Sequence, residues 1–224
     1  MKDLQKMGGL AALYEAAAYV LGIVFFFFVV DYAGVVDPVQ KVVLLADNQA
    51  AMTIMNLIIY VVFGVVLVVL ALALYERLKA GSPAIMQTAT AFGLIWAGVV
   101  IASGMIFNIG MGVVVDLYGS DPAQAATVWL AIDSVVNGIG GGVELLGGLW
   151  VLLVSWAALR TGGLPRALNY LGMVIGVAGI ITLVPALGEL GGMIFGLGQI
   201  VWFVWLGIVM LRRSPDAAVE RLRI

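Results

Sequence analysis

Residues 51–79 read AMTIMNLIIYVVFGVVLVVLALALYERLK. From Ala51 to Tyr75 no Asp, Glu, Lys or Arg interrupts the run, and charge arrives only with Glu76, Arg77 and Lys79. A helix of about 20 apolar residues, rising 1.5 Å per residue, crosses the roughly 30 Å hydrocarbon core of a bilayer. Backbone amides find no water at that depth, so a spanning segment must bond to itself as a helix or close into a barrel. An unbroken apolar run without alternation selects the helix. Five further stretches read the same way: Leu10 to Val30, Ala91 to Val113, Val136 to Ala158, Leu168 to Leu187 and Leu190 to Leu211. The expectation is an all-α bundle of six transmembrane helices forming one domain over 1–224, with a short tail at 212–224.

Basic residues orient the bundle. With alternate connections on alternate sides, Lys2, Lys6, Arg77, Lys79, Arg160, Arg166, Arg212, Arg213, Arg221 and Arg223 share a side with both termini, and only Lys41 lies opposite. Lys and Arg accumulate on the cytoplasmic side of membrane proteins. Both termini are therefore expected in the cytoplasm. Asp31, Asp37, Asp47, Asp116 and Asp121 fall on the outer side, where they either attract cations or simply solvate the loops. Lys2 and Lys6 precede a stretch of full spanning length with no small-residue cleavage signal after it, so the first helix is expected to remain uncleaved.

With 63% hydrophobic residues and a mean hydropathy of +1.14, the composition is not that of a soluble domain. The chain has no cysteine and no histidine. Disulfides, thiolate nucleophiles, imidazole-held haem or zinc, and serine or cysteine catalysis with a histidine base are excluded with them. Carboxylates, amides and hydroxyls are the remaining polar equipment. No catalytic residue, metal or cofactor is expected.

The longest outer connection contains Asp37-Pro38, an N-cap followed by proline at the first helical position. Val39, Val42, Val43 and Ala46 then share a face, which predicts a short amphipathic helix near 37–48 on the outer surface. The same device at Asp121-Pro122 starts the fourth helix well before the bilayer. Gly138, Gly140, Gly141 and Gly142 then interrupt its apolar pattern. Two readings are open there: a kinked or unwound helix, or close packing through small residues, which is the commoner use of such glycines in membranes. Gly172 and Gly176, and Gly188, Gly192 and Gly196, recur at spacings of four and predict a tight hairpin between the last two helices.

Ionisable residues inside a span are costly and ask for a reason. Glu15 lies close enough to the cytoplasmic end to reach toward water, and Glu189 sits at the turn of the last hairpin. Glu144 falls near mid-membrane with no cation nearby in sequence. At 100° per residue Asp133, Asn137 and Glu144 share one helical face, provided that the helix stays regular through the glycines. Asn56, Asn108 and Asn137 fall at similar depth in the outer half, and Gln199 near the depth of Glu144. Together these residues suggest an outward-open polar cavity based on Glu144; the alternative is separate interhelical hydrogen bonds that hold the bundle together.

Leu74-Tyr75-Glu76-Arg77-Leu78, Gly163-Leu164-Pro165-Arg166 with Leu171-Gly172, and Trp202-Phe203-Val204-Trp205-Leu206-Gly207 resemble segments of a bacterial group of six-helix integral membrane proteins described only as a domain of unknown function. The resemblance extends over nearly the whole chain. It implies six helices and a bacterial membrane, and it supplies no catalytic or ligand residues; with both termini in the cytoplasm, the expected location is the cytoplasmic membrane.

The expected function is that of a small polytopic protein without turnover, an accessory or assembly subunit of a membrane complex. The alternative is a binding or transport protein for a small solute or lipophilic ligand, with proton coupling through Glu144. An enzyme acting on lipid or isoprenoid substrates would need paired acidic motifs that the chain lacks. Expected partners are membrane lipid and either another membrane protein or a second copy of the chain; no nucleic acid is expected.

Overall fold

A computed structural model describes residues 2–141 and 144–212. Among the described residues all regular structure is helical. Helix α1 (Lys2–Val24) runs into a π-helical segment, Phe25–Val29; α2 (Pro38–Asp47) and α3 (Gln49–Asn56) follow. A second π-helical segment, Leu57–Val62, joins α3 to α4 (Phe63–Leu78), and α5 spans Pro83–Tyr118. Helix α6 (Pro122–Val136) passes into a third π-helical segment, Asn137–Gly141, before α7 (Leu145–Thr161), α8 (Arg166–Ile181) and α9 (Gly188–Arg212).

Among the described residues, five helices are long and apolar enough to cross a membrane: Asp3–Val29, Gln49–Leu78, Pro83–Tyr118, Pro122–Thr161 and Gly188–Arg212. The chain is an all-helical membrane protein. The stretch read as Leu168 to Leu187 yields only the 16 residues of α8, about 24 Å of helix at 1.5 Å per residue. It stops because the Thr182 hydroxyl donates to Gly179 O at 2.7 Å and the amides of Leu183 and Val184 turn back to Ile180 O and Ile181 O. Pro185, with no N–H to donate, cannot continue the helix.

Both proline-led helices form behind their caps. Asp37 accepts from Gln40 N at 2.8 Å and Asp121 from Gln124 N at 2.9 Å, each satisfying an amide that the first helical turn leaves open. The predicted 37–48 helix is thus α2. It buries Val42 and Leu45 rather than the whole Val39, Val42, Val43, Ala46 face.

The fourth apolar stretch is broken. Gly140 leaves the helical region (φ 166°, ψ 5°), and Glu144 stands at the N-cap position of α7 with φ −91° and ψ 20°. Of the two readings of the glycines, interruption is the one the backbone adopts: a Cβ added at Gly138 would meet nothing within 4 Å, so close packing does not explain that residue. Gly142 lies outside the described residues, as do Arg213, Arg221 and Arg223 in the tail.

The chain divides into two compact units. The first comprises Met1–Ala17, Val65–Gly98 and Val143–Ile224; the second comprises Ala18–Gly64 and Val99–Gly142. All three π-helical segments fall in the second.

The core of the first unit is aromatic. Trp150 lies 5.7 Å from Trp96, 5.8 Å from Trp202 and 6.4 Å from Phe203 between ring centroids, and Phe195 packs 6.3 Å from Trp96. Glycines let α7 and α8 meet backbone to backbone. A Cβ at Gly148 would lie 2.7 Å from Gly176 O, and one at Gly179 would lie 2.8 Å from Glu144 O. On α9 the glycines in such contact are Gly191, whose Cβ would lie 2.7 Å from Ala178 O, and Gly198, 2.6 Å from Ile175. The stripe predicted at Gly188, Gly192 and Gly196 is not the packing face. Gly192 and Gly196 face open space within 4 Å, and Gly188 meets only Thr182 O at 3.3 Å. The reason is arithmetic: on a helix with this many glycines, spacings of four pick out several stripes, and the neighbouring helix selects one seven residues in period.

In the second unit Val42, Leu45, Met52, Met111, Val114 and Ala125 are fully buried around Trp129, whose ring meets Phe107 edge to face at 5.0 Å.

Candidate functional site

Two polar groups form in the second unit, and between them they hold Asn56, Asn108, Asp133 and Asn137. The first joins α3 to α5. Asn56 is fully buried, and its Nδ2 donates to Asn108 Oδ1 at 3.1 Å; Asn108 Nδ2 in turn donates to Thr53 O at 3.2 Å. Asn56 Oδ1 has no partner. The geometry places the two amides in one interhelical tie.

The second group gathers on Asp133 of α6. Asn137 Nδ2 donates to Asp133 Oδ2 at 2.9 Å, one helical turn away, and the Tyr32 hydroxyl donates to Oδ1 at 3.1 Å. Tyr32 is positioned by Asp31, which adopts φ 50°, a left-handed conformation that Asp tolerates. That turn brings Tyr32 N to Phe26 O at 2.8 Å. Lys41 of α2 donates to Tyr32 O and sets its ammonium 3.9 Å from the centroid of the Tyr32 ring. Burial first, and the Asp133 charge second, push the Tyr32 phenol above its ordinary range; burial lowers the Lys41 ammonium, against the attraction of Asp133 and Asp31.

The polar stripe expected from Asp133 through Glu144 does not survive the break. Regular 100° steps end at Val136, where the π-helical segment begins, and the helical path itself ends at Gly140, so Asp133 and Asn137 stay together while Glu144 belongs to the next helix and to the first unit. There Glu144 N donates to the Thr182 hydroxyl at 3.1 Å, tying the start of α7 to the end of α8. Gln199 is in the first unit as well, fully buried, with neither amide atom bonded.

Chemically, the two groups present amides and one carboxylate, that of Asp133, engaged with protein donors, with Asn56 Oδ1 left over. One groove in the second unit, of about 400 Å³, is lined by Met105, Ile106, Ile109, Gly110, Val113 and Ile132 and offers no polar side chain. Among the described residues no group of three or more Asp, Glu, His or Cys is placed to hold a metal.

Sequence reasoning missed three participants. Lys41 reads as the lone outer cation, and neither it nor Tyr32 is near Asp133 in sequence. Glu15, read as reaching toward water, is completely buried; the signal was its place seven residues beyond Gly8 among Ala11, Ala12 and Ala16.

No characterised protein and no solved structure matches the chain. Residues 15–209 match the family described as "Domain of unknown function (DUF4386)", and the chain belongs to that family.

Proposed function

We propose that this protein is a six-span component of the bacterial cytoplasmic membrane, with both termini in the cytoplasm, that acts without turnover of its own as an accessory or assembly subunit of a membrane complex. The orientation rests on the sorting of Lys and Arg, and the sixth span on α8 crossing with a short helix that local thinning of the bilayer accommodates. The observation that carries the functional reading is the pairing of Asn56 with Asn108 and of Asp133 with Tyr32 and Asn137. Four of the side chains expected to wait for a ligand, Asn56, Asn108, Asp133 and Asn137, are instead bonded within the protein. The partner on this reading is another integral membrane protein, met through the lipid-facing apolar surface, on which Phe28, Ile109 and Val174 are among the most exposed side chains.

Solute binding or transport is the second reading, and one observation favours it: the buried, unbonded amide of Gln199. Purification of the tagged protein in mild detergent separates the two. A partner recovered in fixed stoichiometry supports the subunit reading. A monomer or homo-oligomer carrying a bound solute refutes it.

A further inference from the structure

In the first unit α1 is wedged between α4 and α9. A Cβ at Gly8 would overlap Cβ of Ala73 and lie 2.7 Å from Cε of Met210. One at Gly207 would lie 2.8 Å from Leu13 Cγ and 2.9 Å from Gly9 O. Glu15 stands seven residues beyond Gly8, which at 100° per residue returns to the same face within about 20°. It therefore continues the face that α4 and α9 cover. Glu15 is 0% exposed, Ala11, Ala12 and Ala16 beside it are buried, and neither carboxylate oxygen has a hydrogen-bond partner.

Among the described residues of these three helices, nothing basic is placed to balance it. On α1 itself the cations are Lys2 and Lys6, at the start of the helix; Asp3, Tyr14 and Tyr19 are the other titratable groups. On α4 the titratable and charged groups are Tyr75, Glu76 and Arg77, confined to its end. On α9 they are Glu189 in the first turn and Arg212 in the last. An ionised carboxylate with no counter-charge and no donor is the most expensive group that a hydrocarbon-embedded helix can bury. Buried charges persist when something positive neutralises them. Helix α9 carries a second unsatisfied buried group, the Gln199 amide, so the first unit holds more than one polar side chain without a protein partner.

We propose that Glu15 reversibly binds one monovalent cation, a proton or a sodium ion, within the first unit. The inference does not rest on the accessory-subunit reading, because a subunit and a carrier would both use such a site.

The test treats the full-length protein in detergent with dicyclohexylcarbodiimide, which adds the O–H of a neutral carboxylic acid across its C=N bond in water-poor surroundings. Mass spectrometry of the peptide bearing Glu15 reads the adduct, across a pH series and with sodium chloride exchanged for choline chloride. If the cation is a proton, labelling falls at least about tenfold from about pH 5 to about pH 9. If it is sodium, labelling at fixed pH falls about tenfold as sodium replaces choline. An adduct insensitive to both series means a permanently neutral acid and overturns the proposal. Should no adduct form, infrared difference spectra of the untreated protein decide, with the Glu15 band assigned by Glu15→Gln, or by Glu15→Asp if the first variant does not assemble. A band that moves with pH or sodium supports the site; a carboxylate band unchanged in both series overturns it.

Discussion

The hydroxyl of Tyr32 donates to Oδ1 of Asp133 across 3.1 Å, joining residues 101 positions apart in sequence. That bond docks the turn after the first span onto α6. Its loss leaves a partly buried carboxylate short of a donor. Tyr32→Phe is expected to cost about 1–2 kcal/mol, read as a lower melting temperature in detergent.

The same phenol sets a pH dependence. Its pKa in the folded protein lies above the ordinary value of 10.0, chiefly through burial. The folded state therefore holds the phenolic proton more tightly than the unfolded chain does, and the associated stability is full below pH 10 and lost as pH rises above it. Lys41 is shifted downward and contributes with the opposite sign below its ordinary value of 10.5, so the measurement is a comparison. Melting temperature should fall more steeply with alkaline pH in the wild type than in Tyr32→Phe; parallel curves would contradict the assignment.

Packing of α7 on α8 predicts a contrast between two glycines. At Gly148 a Cβ would meet Gly176 O at 2.7 Å and Ile180 N at 2.9 Å, backbone atoms that cannot rotate away, whereas at Gly192 it would meet nothing within 4 Å. Gly148→Ala should cost about 1–3 kcal/mol. Gly192→Ala should be neutral, or stabilising by up to about 1 kcal/mol through helix propensity. Thermal unfolding in detergent measures both.

Asp121 caps α6 through Gln124 N at 2.9 Å. Asp121→Ala should cost about 0.5–2 kcal/mol, with hydrogen exchange accelerated in the first turn of α6 and unchanged in α8.

Orientation is tested by reporter fusions. Those placed after Lys79, Arg160 and Arg212 should report cytoplasm, and those near Asp37 and Asp121 should report the outside. One inverted connection would remove a span, and α8, with 16 residues, is the first suspect.

How far the fold was legible follows from which physical rule each residue obeys. Apolar length and proline-led caps are local properties, and so the spans around residues 51–79 and the starts at Pro38 and Pro122 could be read directly. Helix breaking at Gly140 was legible as an alternative only, because glycine serves close packing and interruption equally well. The stripe from Asp133 to Glu144 depended on helical phase being carried across the glycines between them, and the break removed that premise. Glu15 was misread because distance from the helix end indicates what a side chain can reach, whereas burial depends on which neighbours cover its face. Tyr32 and Lys41 join Asp133 through a turn at Asp31, and no periodicity encodes that.

The central claim is that the polar residues of the second unit tie helices together rather than wait for a ligand. A double-mutant cycle of Asn56→Ala and Asn108→Ala, read by unfolding in bicelles, tests it most directly. The account predicts a favourable coupling of about 0.6 kcal/mol, and up to about 1.7 kcal/mol for a buried pair, with co-purification of the partner kept in any variant that folds. Additive single-variant losses, with no coupling and with a bound solute lost from both variants, would contradict it.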